Sequence, residues 1–271
     1  MSNVVKNILA KKRPVASGVG LEEVRAMAAE AARRAQQQIG GGQFGQVYET
    51  GPGLVTKEIT LEKKQNLLNE INMQAKAAEL GIAPKIQEAS LMPPRIGEKV
   101  IPIEPGVNPN MRGEITMQDL RNNYILAGTS VIDTDSLTKQ QQLDQAKQMS
   151  ILALNNISLG DRHPGNIMFN KMTGRPMQID FGSATELKTN RAKAASLSLS
   201  VAQGLNAAGL REEASIFKGV VEDLLYTDPE GALDVAKQGL SRLQKIKQPL
   251  NSGSYKYATT NRPEDFISVL G

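Results

Sequence analysis

The chain has no cysteine and no tryptophan, and it has a single histidine, His163, among 271 residues. The lack of cysteine excludes a disulfide framework and thiol chemistry. With one histidine and no cysteine, we do not expect a zinc site of the usual composition. The side chains left for chemistry are therefore carboxylates, amides, lysines and one imidazole.

The chain also has little excess of one charge over the other and no long apolar run. The net charge of +4 is too small to indicate nucleic-acid binding, and no stretch approaches the length of a transmembrane span. The first 20 residues are basic, but the apolar run Ile8–Ala10 is too short for the core of a secretory signal. We expect a cytoplasmic protein, or one delivered into a host cell, with no cleavable signal peptide and no transmembrane segment.

One segment in the second half of the chain concentrates acids and amides. Asp161 and Asn166 lie five residues apart across a Pro-Gly loop, and the runs Ile167–Phe169 and Met177–Ile179 predict a hairpin that returns Asp180 to that loop. Asn166 and Asp180 offer the oxygen ligands that magnesium prefers. Asp161 offers a carboxylate to orient an acceptor hydroxyl. Phosphoryl transfer needs this kind of positioning rather than covalent help.

A glycine-rich segment near the N-terminus is a second indication of phosphate chemistry. Residues 40–47 fit the pattern G-x-G-x-x-G-x-V. A dinucleotide fingerprint would continue into a helix, whereas Val47–Glu49 and Leu54–Ile59 predict a hairpin around a Gly-Pro-Gly turn. Glycines let the backbone approach phosphates closely. We interpret the segment as a lid over ATP, with these nucleotide-binding residues: Gly40, Gly41, Gly42, Gln43, Phe44, Gly45 and Val47.

Together, Asp161-Arg162-His163-Pro164-Gly165-Asn166 and the later Asp180-Phe181-Gly182 resemble the catalytic and metal-binding loops of the protein-kinase superfamily. The residues of these motifs are most similar to those of phosphoinositide 3- and 4-kinases and their protein-kinase relatives. Small bacterial effector kinases are a looser analogy. The resemblance implies a two-lobed α+β fold that uses ATP and magnesium. The implied parts are a basic N-terminal arm with an amphipathic helix (1–38), an antiparallel-sheet small lobe (39–106) and a reduced helical large lobe (107–271).

The resemblance also implies roles for single residues. Lys57 would contact the ATP phosphates, and Glu70, on the predicted helix Leu61–Leu80, would hold Lys57 in place, with Glu62 and Glu79 as competitors for that role. His163 stands where lipid kinases carry a histidine considered catalytic. It would share the chemistry with Asp161 or brace the loop.

The hinge between lobes is expected at Glu104-Pro105-Gly106, where the backbone near Ile103 and Glu104 would bind adenine. Gly160 stands where many regulated kinases carry an arginine that binds a phosphorylated loop, so we do not expect that form of control. The remaining expected elements are strands at Ala83–Ile86 and Lys99–Ile103, and helices at Leu21–Gln38, Ile115–Asn122, Leu137–Asn155, Arg191–Ala208, Arg211–Tyr226 and Pro229–Lys247.

Three functions compete. The leading one is an ATP-dependent kinase that phosphorylates a protein hydroxyl, on serine or threonine, with an activating partner protein as a further candidate. The second is a phosphoinositide kinase, for which Lys188, Arg191 and Lys193 supply a modest basic segment. The third is a nucleotide-binding pseudokinase scaffold, which the presence of the lysine, the aspartates and the amide disfavours.

Overall fold

The computed structural model of the chain describes residues 37–42, 45–60, 64–92, 112–127 and 137–249, with single residues at 22, 25, 26 and 29. Within these ranges the fold is α+β, with antiparallel sheets and five helices. The chain divides into two units. The first ends at Asn122 and also includes Asp180–Gly182, and the second holds Asn123–Ile179 and the chain from Ser183 onward. Several predicted features lie outside the described residues: the basic arm, most of helix Leu21–Gln38, Gln43, Phe44, Glu62, strand Lys99–Ile103, Ile103, Glu104 and the hinge.

Within residues 38–122, the described ranges of the first unit form a five-stranded antiparallel sheet with one helix packed on it. Its strand order is β1-β2-β3-β5-β4. Val55 and Ile59 of the third strand pack with Leu67 and Ile71 of the helix, and this contact forms the core of the unit. The elements are β1 (Gln38–Gly42), β2 (Gly45–Gly51), β3 (Leu54–Thr60), α1 (Lys64–Glu79), β4 (Ile86–Met92) and β5 (Arg112–Gln118).

The ends of α1 and β2 lie where the sequence predicts them. Gly81 adopts a φ of +71° directly after the last turn of α1, a conformation that glycine adopts without a Cβ penalty. Gly53, also at φ +71°, turns the chain from β2 into β3. The predicted helix Leu61–Leu80 and the predicted hairpin around Gly51–Gly53 are both confirmed within the described residues.

The predicted helix Ile115–Asn122 is wrong, because residues 115–118 belong to strand β5. Ile115 and Met117 are buried while Thr116 and Gln118 between and after them are more exposed, which is the two-residue period of a strand. The strand is central, pairing with β3 on one side and β4 on the other. The predicted strand Ala83–Ile86 is also corrected, since β4 begins only at Ile86.

The position of β5 bears on the predicted boundary between the small and large lobes. β5 follows the predicted hinge at 104–106 in the chain, and the first unit continues to Asn122. The hinge residues themselves lie outside the described residues, so the boundary at residue 106 stays a prediction.

In its described ranges, the second unit contains four α-helices around an apolar core. The core includes Leu143, Leu197, Phe217 and Leu243, none of which has exposed surface. The helices agree with the predicted ranges to within about two residues, as is usual for helix ends. They are α2 (Lys139–Leu154), α3 (Asn190–Ala207), α4 (Arg211–Leu224) and α5 (Pro229–Lys245).

Short strands complete the second unit. The predicted hairpin is confirmed, with Ile167 opposite Gln178 and Met168 opposite Met177. The strands are β6 (Tyr124–Leu126), β7 (Ile157–Ser158), β8 (Ile167–Asn170), β9 (Pro176–Gln178) and β10 (Thr185–Glu186), in sheets of order β6-β8-β9 and β10-β7. Among the described helices, none has the length and apolar content needed to cross a bilayer.

Candidate functional site

A buried ion cluster centred on Lys57 lies in the first unit. The Lys57 Nζ is 2.8 Å from the Glu70 Oε1 and 2.8 Å from the Asp180 Oδ1. The side chains of Lys57 and Glu70 are 8% and 4% exposed, whereas that of Asp180 is 31% exposed. The structure therefore brings together three residues that the sequence assigns to one reaction, and it leaves one of the two carboxylates accessible.

The pairing of Lys57 with Glu70 follows from strand and helix geometry. Alternate residues of a strand share a face, so Lys57 lies on the same face of β3 as Val55 and Ile59, which pack against α1. A lysine on that face must meet the helix, and Glu70 lies next to the buried Ile71. Of the competitors, Glu79 is exposed at the end of α1.

Burial and charge act in opposite directions on the cluster. Burial alone would lower the pKa of Lys57, but the carboxylates of Glu70 and Asp180 outweigh it and raise the pKa above its ordinary value of 10.5. Burial raises the pKa of Glu70, with the Lys57 charge opposing that rise. Lys57 is thus held as a cation, and Glu70 depends on Lys57 to stay ionised.

The glycine-rich segment forms the β1–β2 hairpin. Gly42 pairs with Gly45 across it, and no helix follows, so a dinucleotide fingerprint is excluded. At Gly45 a Cβ would lie 2.2 Å from the backbone oxygen of Glu58. No real Cβ makes such a contact with backbone, so a glycine is required here for β2 to approach β3. Gln43 and Phe44, at the tip, lie outside the described residues.

Asp161 and His163 lie together in the second unit, in the segment 161–166, called the Asp161 loop below. The Asp161 side chain is exposed and its Oδ1 accepts a hydrogen bond from the His163 backbone N–H at 3.2 Å. The His163 Nδ1 accepts from the Gly165 N–H at 2.8 Å. A neutral imidazole that accepts at Nδ1 carries its proton on Nε2, and the buried Nε2 has no hydrogen-bond partner among the described residues.

Asn166 is oriented by the same loop. Its Nδ2 donates to the Asp161 carbonyl oxygen at 3.4 Å, which leaves its Oδ1 for another contact. The Ile179 N–H donates to the Asn166 carbonyl at 3.0 Å, so the β8–β9 hairpin returns the residue before Asp180 to the loop, as predicted.

The oxygens of Asn166 and Asp180 fit magnesium chemically. The Asp180 Oδ1 accepts from Lys57 and from the Gly182 N–H at 2.9 Å, and its second oxygen belongs to a partly exposed side chain. Taken singly, a carboxylate oxygen and an amide oxygen are each a type of ligand that magnesium prefers. No group of three or more acidic, histidine or cysteine residues that could hold a metal occurs within the described ranges.

Gly160 has a packing role that the sequence does not reveal. A Cβ at Gly160 would lie 2.5 Å from the Ser183 backbone oxygen. β7 and β10 pair just beside this contact, with Ser158 opposite Thr185. A larger residue at position 160, such as the arginine of regulated kinases, would force these two segments apart.

Two charged clusters were missed by the sequence reasoning. Arg121 bonds Asp119 and Glu49, with its Nη2 2.7 Å from a carboxylate oxygen of each, and so ties the segment after β5 to β2. The hydrogen bonds of Arg121 lower the pKa of Asp119. In the second unit, Arg191 lies over the ring of Tyr226 at 3.8 Å from its centroid. For the Arg121 cluster, the Asp-x-Arg spacing was the only signal in the sequence. Arg191 and Tyr226 are too distant in the sequence for their contact to be predicted.

Comparisons with known proteins add little. No protein-family model matches the chain, and no curated protein matches it in sequence. Among solved structures, the chain is similar to a co-crystal structure of WbdD with the kinase inhibitor LY294002, with 14% sequence identity and a TM-score of 0.45. The match covers 73% of this chain and 44% of the WbdD chain. The chain therefore spans less than half the length of that protein.

Proposed function

We propose that the chain has a protein-kinase-like fold and transfers the γ-phosphoryl group of ATP to a serine or threonine hydroxyl of a protein. The observation that carries this proposal is the buried ion pair between Lys57 on β3 and Glu70 on α1, with Asp180 on the same ammonium. The pair lies in a five-stranded sheet that begins with a glycine-rich hairpin. A stability role alone does not account for a second, partly exposed carboxylate on the same lysine.

At the donor end, Lys57 supplies a fixed positive charge for phosphate oxygens. Glu70 holds the ammonium from the buried side, so the charge is in place before any ligand binds, which is how preorganised charges lower a barrier. Asp180 and Asn166 would hold magnesium, which when bound would neutralise negative charge on the phosphates.

At the acceptor end, Asp161 orients the hydroxyl and receives its proton. Its carboxylate is exposed, and the backbone N–H of His163 fixes one of its oxygens. A carboxylate held this way serves as a positioned base without first breaking a strong ion pair. The Nε2–H of His163 is an unused donor, suited to stabilise negative charge near Asp161.

The test is to incubate the protein with γ-labelled ATP, magnesium, a protein extract and phosphoinositide vesicles. We expect label on serine or threonine of protein and none after Lys57→Met. Label in the lipid fraction alone would assign a phosphoinositide kinase instead. ATP binding with no label in either fraction would assign a nucleotide-binding scaffold, and absence of ATP binding would overturn the proposal altogether.

A further inference from the structure

A cavity of about 480 Å³ lies in the second unit, apart from the residues used above for chemistry. The start of α2, the end of α3 and the first residue of α4 line it, together with Arg162 and Pro164 of the Asp161 loop. Three of its lining residues are cations, and none is an aspartate or a glutamate. The cations are Lys139, Arg162 and Arg211.

Arg162 is the most buried of the three cations. Its Nη1 lies 3.4 Å from the Ser200 Oγ and its Nη2 lies 3.3 Å from the Ser196 Oγ, both long for hydrogen bonds. Its guanidinium is partly buried, and burial lowers the pKa of Arg162. Within the described ranges no carboxylate pairs with it. Because a buried charge without a counter-charge is costly, an anion from outside the chain would complete this site.

The other two cations add charge at the rim of the cavity. Arg211 is the first residue of α4, and Leu210 before it caps the helix with no side-chain hydrogen bond. Free N–H groups at such a helix start carry partial positive charge. Lys139 is exposed at the start of α2, and neither it nor Arg211 forms a salt bridge in the described part of the chain.

We propose that this cavity binds a phosphate monoester group, with Arg162 as the central ligand and Arg211 and Lys139 as outer cations. The planar guanidinium matches two oxygens of a phosphate at once. The cavity is larger than a phosphate ion, and the amides of Gln142, Gln203 and Asn206 at its lining can bond an attached organic group. The proposal uses residues of the second unit only, and it stands whether or not the chain transfers phosphate.

Binding of two probes to the full chain tests the site. Inorganic phosphate and O-phospho-L-serine are titrated by calorimetry, with L-serine, which lacks the phosphate group, as the control. We expect saturable binding of both anions and none of serine. Arg162→Gln should weaken binding by about tenfold or more, as expected for loss of a charge-assisted contact. Arg211→Gln should weaken it by a smaller factor, and Arg175→Gln, an exposed arginine elsewhere in the same unit, should not change it.

Two variants separate this site from a nucleotide site and from loss of folding. Lys57→Met, assayed at a temperature where it remains folded, should keep saturable phosphate binding in the cavity, because Lys57 belongs to the first unit. Arg211→Gln lies on an exposed helix position and keeps the test valid if Arg162→Gln unfolds. Tighter binding of phosphoserine than of phosphate assigns a phosphorylated organic ligand, and equal binding assigns free phosphate. Absence of saturable binding, loss of binding in folded Lys57→Met, or unchanged binding in Arg211→Gln and in folded Arg162→Gln would overturn the proposal.

Discussion

The ion pair between Lys57 and Glu70 makes a prediction that separates stability from activity. Lys57→Met keeps the length and shape of the side chain but leaves Glu70 buried with no cation and with Asp180 nearby. Removing one partner of a buried pair costs about 3–5 kcal/mol. Glu70→Gln should cost less, about 1–3 kcal/mol, because Lys57 keeps its 2.8 Å contact with Asp180.

The double variant Lys57→Met/Glu70→Gln should recover much of the stability lost in Lys57→Met. Replacing both charges of a buried pair by neutral groups of similar volume is often close to neutral, so the two effects should be non-additive by about 2 kcal/mol. In a chain of this size each kcal/mol shifts the midpoint of thermal unfolding by about 2–4 °C. The double variant should nevertheless transfer no phosphate, because the charge on the phosphates is gone.

The same variants have a predicted pH dependence. In Lys57→Met the pKa of Glu70 lies above its ordinary value of 4.5, because burial and the nearby Asp180 raise it and no lysine opposes them. A raised folded-state pKa gives stability that is present below the unfolded value and lost as the pH rises through the folded value. The free energy of unfolding of Lys57→Met should therefore fall steadily as the pH rises above about 5. The double variant, which also carries Glu70→Gln, should not show that trend.

Thermal unfolding of the four proteins of this cycle, at several pH values, is the assay. Costs that add within about 0.5 kcal/mol in the double variant would refute a direct energetic coupling between the two residues. A double variant that still transfers phosphate would refute the catalytic role of Lys57 while leaving the ion pair as a structural feature.

Three further predictions concern the lid, the metal and the histidine. Gly45→Ala should destabilise the protein by about 1–3 kcal/mol, because its Cβ would meet the β3 backbone at 2.2 Å. Gly51→Ala, whose Cβ would have nothing within 4 Å, should not destabilise it. Unfolding curves of the two variants, measured side by side, check this. Asp180→Ala should remove most of the magnesium-dependent part of the thermal stabilisation by ATP, and a stabilisation that is equal with and without magnesium in the unmodified protein would contradict the assignment. His163→Asn keeps an oxygen that can accept from the Gly165 N–H but removes the Nε2–H; we expect a folded protein with turnover reduced by about 10²-fold, and full activity would show that His163 only braces the loop.

The sequence predicted the local elements better than it predicted the order of the sheet. Local patterns predicted the helix end at Gly81 and the hairpin that β8 and β9 form. Both depend on short-range effects, namely glycine conformation and strand alternation. The segment from Ile115 was assigned to a helix although it alternates as a strand, since its partners β3 and β4 are distant in the chain. Tertiary pairing of this kind outweighs local propensity.

Of the contacts between residues that are distant in the sequence, one was predicted and others were not. The pairing of Glu70 with Lys57 was predicted from the resemblance of the segment around Glu70 to the kinase helix and from the apolar face that Ile71 continues. The contact of Gly160 with Ser183 and the position of Arg162 beside α3 depend on how the second unit packs. No pattern in the sequence carries that information.

The most direct test of the central claim is phosphoryl transfer by Asp161→Asn. The substitution keeps the size of the side chain and an oxygen that can accept from the His163 N–H, but it removes the carboxylate that we propose receives the acceptor proton. We predict that transfer from labelled ATP to protein falls by about 10²–10⁴-fold, with the unfolding temperature and the affinity for ATP close to those of the unmodified protein. A folded Asp161→Asn protein with full transfer activity would contradict the mechanism proposed for this chain.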